Sequence, residues 1–194
     1  MKYHGIYCKD VNTQNWIFNQ DDDDRVWLNP AYRDLQCPKC KKIDEIKAMK
    51  RGLVECHIEE TKADYFGTHD GMICVSARFK TVLSKIGVKD IDYYPIPRKG
   101  REYYVFVPTR RVWAKRSFFK YGRKCVECGR YKTVYGGPSS LEMKLPDEPN
   151  VVCIMDIPPE KEGGIMLAPM AGEDVVKALK AAKLTGILPV RIYP

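Results

Sequence analysis

Two Cys-x-x-Cys pairs constrain this chain more than anything else in it: Cys37 and Cys40 in QCPKCKK, and Cys125 and Cys128 in KCVECGR. Two intervening residues let both thiolates of a pair turn onto one tetrahedral ion. Such turns favour Pro after the first Cys and Gly after the second, which frees backbone amides to point at the sulfurs. Pro38 supplies the first feature in one turn and Gly129 the second in the other, so each turn carries what its counterpart lacks. Four soft thiolates in tetrahedral array select zinc over magnesium or calcium. The pairs lie 88 residues apart (125 − 37 = 88), far wider than an ordinary zinc ribbon. All three histidines, His4, His57 and His69, precede the middle of the chain, and Cys153 is the only cysteine after Cys128. The second pair is therefore short of partners, and sharing one structural zinc with the first is the simplest route to four ligands. Two separate metals, an iron site or no metal are the other outcomes. A redox role requires a helix N-terminus after the first Cys of a thioredoxin-like unit. Neither CPKCKKIDEI nor CVECGRYKTV follows an obvious strand that feeds a long amphipathic helix.

The rest of the chain needs no staples to fold. A length of 194 residues fits one large domain or two small ones. Such a chain buries roughly 70% of its unfolded surface. No apolar run approaches membrane-spanning length, and the opening MKYHGIYCKD lacks the apolar core of a signal peptide. A cytoplasmic address with no membrane partner is the expectation. Eight cysteines in a reducing compartment are poor disulfide candidates. Cys74 in MICV and Cys153 in VVCIM read as small core hydrophobes. Cys8 stands alone, and Cys56 with His57 is a secondary candidate ligand pair.

Each knuckle is followed by a similar stretch. In GMICVSARFKTVLSKIGVKDIDYYPI, Phe79, Val82, Leu83 and Ile86 share one helix face. Ser76 suits its N-cap and Gly87 its left-handed end, and IDYYPI reads as the next strand. In GGIMLAPMAGEDVVKALKAAKLTGILPVRIYP, Val175, Ala178, Leu179 and Ala182 repeat the spacing. Glu173 and Asp174 lie early and Lys180 and Lys183 late, as the helix dipole prefers, with a strand around Gly186 to Ile192 to follow. The helix faces align at an offset of 96 (175 − 79) and the knuckles at 88, so about eight extra residues fall in the Pro-rich stretch LPDEPNVVCIMDIPPEKEGG. The pattern predicts an α+β fold of two similar halves, 1–97 and 98–194. Each would hold a CxxC knuckle, mostly antiparallel strands and a short amphipathic helix. A shared zinc would join them into one compact unit. Coincidence of a common helix-then-strand order is the competing explanation.

The charge is concentrated. Residues 98–132 carry twelve Lys or Arg against Glu102 and Glu127, a balance of +10 in a chain of +8, so the remainder is about −2. EYYVFV within this region reads as a strand. Cations alternate with aromatic residues there, which suits a nucleic-acid surface, an antiparallel pair with aromatics inward, or a protein-partner surface. Arg110, Arg111, Trp113, Lys115 and Arg116 are the candidate partner-binding residues. The acidic run DDDD at 21–24 reads as a solvated loop before the strand-like RVWL.

Catalytic motifs are missing from the sequence: there is no Gly-rich phosphate loop, no HExxH and no G-x-S-x-G. Zinc held by four thiolates has no vacant position for water, and His69 with Asp70 in FGTHDG is only a dipeptide. CPKC, CVECGR and the SARFK helix leading into IDYYPI together resemble the double-CXXCG motif proteins and a related immunity-protein family. The resemblance covers 37–97 and 125–194 and departs at Lys41, where the family pattern has Gly. It implies a bacterial immunity protein of a polymorphic toxin system, not an enzyme, that neutralises a cognate toxin by binding it. The alternative class is a zinc-ribbon protein that binds nucleic acid through 98–132.

Overall fold

The computed structural model describes residues 2–9, 11–12, 15–22, 25–28, 30–59, 61–113, 119–131, 134–136, 145–156 and 169–192. The chain begins with strands β1 (Tyr3–Cys8) and β2 (Val11–Asn12), then the hairpin β3 (Asn19–Asp22) and β4 (Arg25–Leu28). A 3-10 turn over Pro30–Leu35 leads through the first knuckle to helix α1 (Glu45–Arg51). Strands β5 (Tyr65–Thr68) and β6 (Ile73–Ser76) precede helix α2 (Ala77–Lys85) and strand β7 (Ile91–Pro95). Next come β8 (Tyr103–Pro108), β9 (Arg111–Trp113), β10 (Phe119–Tyr121) and β11 (Val134–Gly136), the last two flanking the second knuckle. Strands β12 (Val152–Asp156) and β13 (Met170–Gly172), helix α3 (Glu173–Ala181) and strand β14 (Ile187–Ile192) complete the order. This is an α+β fold with few helices and mostly antiparallel strands.

Two five-stranded sheets carry the architecture, in orders β2-β5-β6-β8-β7 and β9-β12-β13-β1-β14. In each, the outermost short strand pairs in parallel: β2 with β5, and β9 with β12. In each, the strand before a helix and the strand after it lie on either side of a strand from the other side of residue 97. That strand is β8 in the first sheet and β1 in the second, so each sheet crosses residue 97. The registers correspond residue by residue. Ser76 pairs with Tyr103, and Gly172 with Tyr3, with 172 − 76 = 96 and 103 − 3 = 100. Ile91 pairs with Pro108, and Ile187 with Cys8, again offsets of 96 and 100. Even the tyrosine hydroxyls agree: Tyr103 donates to the carbonyls of Thr61 (2.7 Å) and Ala63 (3.2 Å), and Tyr3 to those of Pro146 (2.7 Å) and Glu148 (3.2 Å).

The helices form where the periodicity places them. Ser76 caps α2, its hydroxyl accepting from the Phe79 amide at 3.2 Å, and Gly87 follows the helix with φ of 72°. Helix α3 starts from Gly172 without a side-chain cap, and Glu173 and Asp174 in its first turn suit the positive end of the dipole. Phe79 and Leu83 of α2 meet Val175, Val176 and Leu179 of α3 in a core that also takes Ile6, Tyr65, Val75, Phe106 and Val152 from the two sheets. The opposite face of the first sheet, including Phe66, Cys74, Tyr103 and Val105, is covered by Tyr32 of the 3-10 turn, Ile43 beside the first knuckle, and Ala48 and Met49 of α1. Strands β5 and β6 are thus buried on both faces, which explains an unbroken apolar run such as MICV. The first half of the acidic run departs from expectation, and Asp23 and Asp24 lie outside the described residues. Asp21 and Asp22 lie in β3, opposite Val26 and Arg25, because RVWL turns back on them as a hairpin.

Candidate metal centre

Both knuckles are built by the same backbone hydrogen bonds. The Cys37 amide donates to the Lys42 carbonyl (2.9 Å) and the Lys41 amide to the Cys37 carbonyl (3.0 Å). The Cys125 amide donates to the Arg130 carbonyl (2.8 Å) and the Gly129 amide to the Cys125 carbonyl (2.9 Å). Every one of these positions is related by 88. The flanking bridges, Gln36 to Ile43 and Lys124 to Tyr131, are related likewise. The turn needs a left-handed residue after its second cysteine: Gly129 takes φ of 75°, and Lys41 takes φ of 63°.

The fold brings the four predicted cysteines together. Cys37 Sγ lies 3.8 Å from Cys125 Sγ, Cys40 Sγ lies 3.5 Å from Cys128 Sγ, and all four sulfurs fall within 4.8 Å of one another. These separations are far beyond the ~2.05 Å of a disulfide. A tetrahedron with metal–sulfur bonds of ~2.3 Å has edges of ~3.8 Å. The donor set and its size therefore fit one metal ion such as zinc, with residues of both knuckles as ligands. Among the described residues no other group of three or more Cys, His, Asp or Glu converges in this way.

Ligand electrostatics are uneven. Burial opposes ionisation of Cys128, but the Arg130 guanidinium and amide outweigh it and lower this thiol to about 6. The amide of Cys40 helps to hold the Cys37 thiol below its usual range. Burial pushes Cys40 the other way, with its sulfur neighbours adding to the effect. Arg130 Nε donates to Cys128 Sγ at 3.5 Å. The rest of its guanidinium crosses to the other knuckle, donating to the carbonyls of Ile43 (2.6 Å) and Lys42 (2.8 Å). Lys42 answers in the opposite direction, its Nζ donating to the Tyr131 carbonyl at 2.9 Å. Sequence reasoning missed both residues. The signal available was that 130 − 42 is also 88.

The other sequence candidates lie elsewhere. Cys74 and Cys153 are buried, as their apolar runs suggest. Burial raises the thiols of Cys8, Cys56 and Cys153 to about 12 and pushes that of Cys74 up as well, which makes them poor nucleophiles. Cys56 and His57 join no metal cluster among the described residues; the His57 ring stacks on Trp16 at 5.8 Å. Asp70 of the FGTHDG loop accepts from the amides of Ile17 and Phe18 and from the Thr68 hydroxyl. Arg110, at the mouth of β9, pairs with Glu148 at 2.6 Å and with Asp90 at 3.8 Å. Arg111 and Trp113 lie in β9, at the edge of the second sheet, with Arg111 exposed. Lys115 and Arg116 lie outside the described residues. Within the basic region, Arg98 and Arg101 rest against the Tyr103 ring and donate to the carbonyls of Glu59 and Lys62.

No helix among the described residues is long and apolar enough to cross a membrane. Compared with known proteins, the chain matches no family model, no curated protein and no solved structure.

Proposed function

We propose that this chain is a non-catalytic binding protein of the bacterial cytoplasm, an immunity factor that neutralises a cognate toxin by occluding it. In this reading the scaffold is a duplication whose two halves exchange their first strands and share one structural zinc. The observation that carries the reading is the convergence of four sulfurs from positions 88 residues apart. Four thiolates close a tetrahedral ion to water, so the centre serves as a clamp and not as a Lewis acid. The cleft beside it, between Leu35, Pro38, Lys47 and Glu127, measures 230 Å³. That is below the ~300–1,000 Å³ of typical small-molecule sites, so this cleft is too small to be one. The matching registers and hydrogen bonds at offsets of 88, 96 and 100 support the duplication.

The nucleic-acid reading draws less support. Arg98, Arg101, Arg110 and Arg130 all spend hydrogen bonds within the fold, which leaves fewer cations of 98–132 to neutralise phosphates. Co-expression with the product of the adjacent gene tests the proposal. Protection of the host cell and a 1:1 complex on gel filtration, with one zinc per chain by elemental analysis, is the expected result. Steeply salt-dependent RNA or DNA binding with neither protection nor complex would overturn it.

A further inference from the structure

The two knuckles are locked to each other by groups other than the sulfurs. Arg130, two residues past Cys128, reaches over to the carbonyls of Lys42 and Ile43. Lys42, two residues past Cys40, reaches back to the carbonyl of Tyr131. The contact is reciprocal: residue 42 seeks the carbonyl of 131, and residue 130 seeks the carbonyl of 43. Both partners are cations, and both sit beside a cluster that carries a formal charge of −2 once four thiolates hold a divalent ion. Backbone carbonyls at the ends of tight turns are strong acceptors, and hydrogen bonds from charged donors to them are worth more than neutral ones. Arg130 goes further than Lys42, because its Nε also donates to Cys128 Sγ. A planar guanidinium can serve three acceptors in fixed directions, which an ammonium cannot.

We infer that Arg130 and Lys42 are the positioning residues of this metal centre: they hold the knuckles together at ligand distance, and Arg130 draws charge from the Cys128 sulfur. The inference rests on the proposed metal site and adds what sets its affinity. Without the clasp, the ion must itself bring two turns together, and part of its binding free energy goes into ordering them. Outer-shell partners of metal ligands typically govern affinity by ~10–100-fold.

Cobalt and zinc titrations of the full chain test this. Wild type should take up one Co²⁺ with the visible bands of a tetrahedral four-sulfur site, and Zn²⁺ should displace it. Arg130→Met should keep the far-UV circular dichroism and the four-sulfur bands but lose about 10–100-fold in zinc affinity in a chelator competition. Its sulfur-to-cobalt charge-transfer band should move to lower energy, because Cys128 loses an N–H donor. Arg130→Lys should restore part of the affinity. Zinc affinity within two-fold of wild type overturns the inference, and so does weakened binding with an unmoved charge-transfer band, which would make Arg130 a support of the fold alone. If Arg130→Met does not fold, Lys42→Met decides by the same competition: a smaller loss supports the clasp and wild-type affinity overturns it. Wild type that binds no metal at all would instead remove the centre on which the inference rests.

Discussion

Lys41 occupies the left-handed position that its counterpart fills with Gly129. A side chain there costs roughly 1–2 kcal/mol, while glycine gives back roughly 0.5–1 kcal/mol in backbone entropy. Lys41→Gly should therefore stabilise the protein by about 0.5–1 kcal/mol, a rise of about 1–4 °C in thermal melts. Gly129→Ala should cost about 1 kcal/mol, since an added Cβ would meet only Lys124 at 3.9 Å and the loss is backbone strain. Glu45 is a second residue with a readable consequence. Burial, with Asp70 adding repulsion, raises its carboxyl from 4.5 to about 7, and Arg130 and Lys42 only partly offset this. The folded state thus holds this proton more tightly than the unfolded state, so stability falls as pH rises from 4.5 to about 7. Glu45→Gln should gain little at pH 4.5 and about 1 kcal/mol or more at pH 8, measured by urea denaturation at both. At this scale the four cysteines were legible because i, i+3 spacing of a rare, soft ligand is local information. Arg130 and Lys42 were not, since a cation that seeks a distant carbonyl looks like any surface cation until the chain is folded.

Helix α2 was legible to its caps, Ser76 and Gly87, and α3 through its periodicity and the placement of its charges. Strand β1 was not: YHGIYC alternates weakly, and its burial comes from strands that follow more than 160 residues later. The seven residues of α1 are too few for periodicity to stand out, although Asp44 caps them through the Lys47 amide. One side chain joins several elements. Asp64, 1% exposed, accepts from the Ser76 hydroxyl that caps α2 and from the Thr185 amide and hydroxyl before β14, and it pairs with Arg78 and Arg101. Burial alone would raise its carboxyl, but the Thr185 amide, the Ser76 hydroxyl and Arg101 together hold it below 3.8. Asp64→Asn should cost about 2–4 kcal/mol at neutral pH, because buried donors lose an ionised acceptor. The sign follows from the lowered carboxyl: the contribution is present above pH 3.8 and is lost as pH falls through the folded value. Urea melts of wild type and variant should converge in strong acid; a neutral-pH difference under about 0.5 kcal/mol would show that Asp64 is dispensable.

At the scale of the molecule, the sequence pattern announced similar stretches but not which strand completes which sheet. Strand pairing between residues more than 160 apart, as of β1 with β13 and β14, leaves no local trace. The prediction at this scale is that fragments 1–97 and 98–194 depend on each other. Each lacks the strand that lies between two of its own, β8 in the first case and β1 in the second. Expressed alone, each should fail to give a cooperative melt; expressed together, they should co-purify as a 1:1 pair that a strong chelator weakens. Independent two-state melting of both fragments would contradict this. The pairing of β1 with β14 has a different consequence. Tyr3 lies opposite Ile192, just as the Ile96 amide meets the Tyr103 carbonyl where the chain turns through 97–102. The beginning and end of the described chain are thus placed where the other sheet has an ordinary loop. A circular permutant, with residue 194 joined to residue 1 by a few glycines and new ends cut between Lys99 and Gly100, would simply exchange loop for gap. It should purify as a monomer, bind one metal ion and melt within a few degrees of the parent, which a thermal scan beside the parent protein would establish.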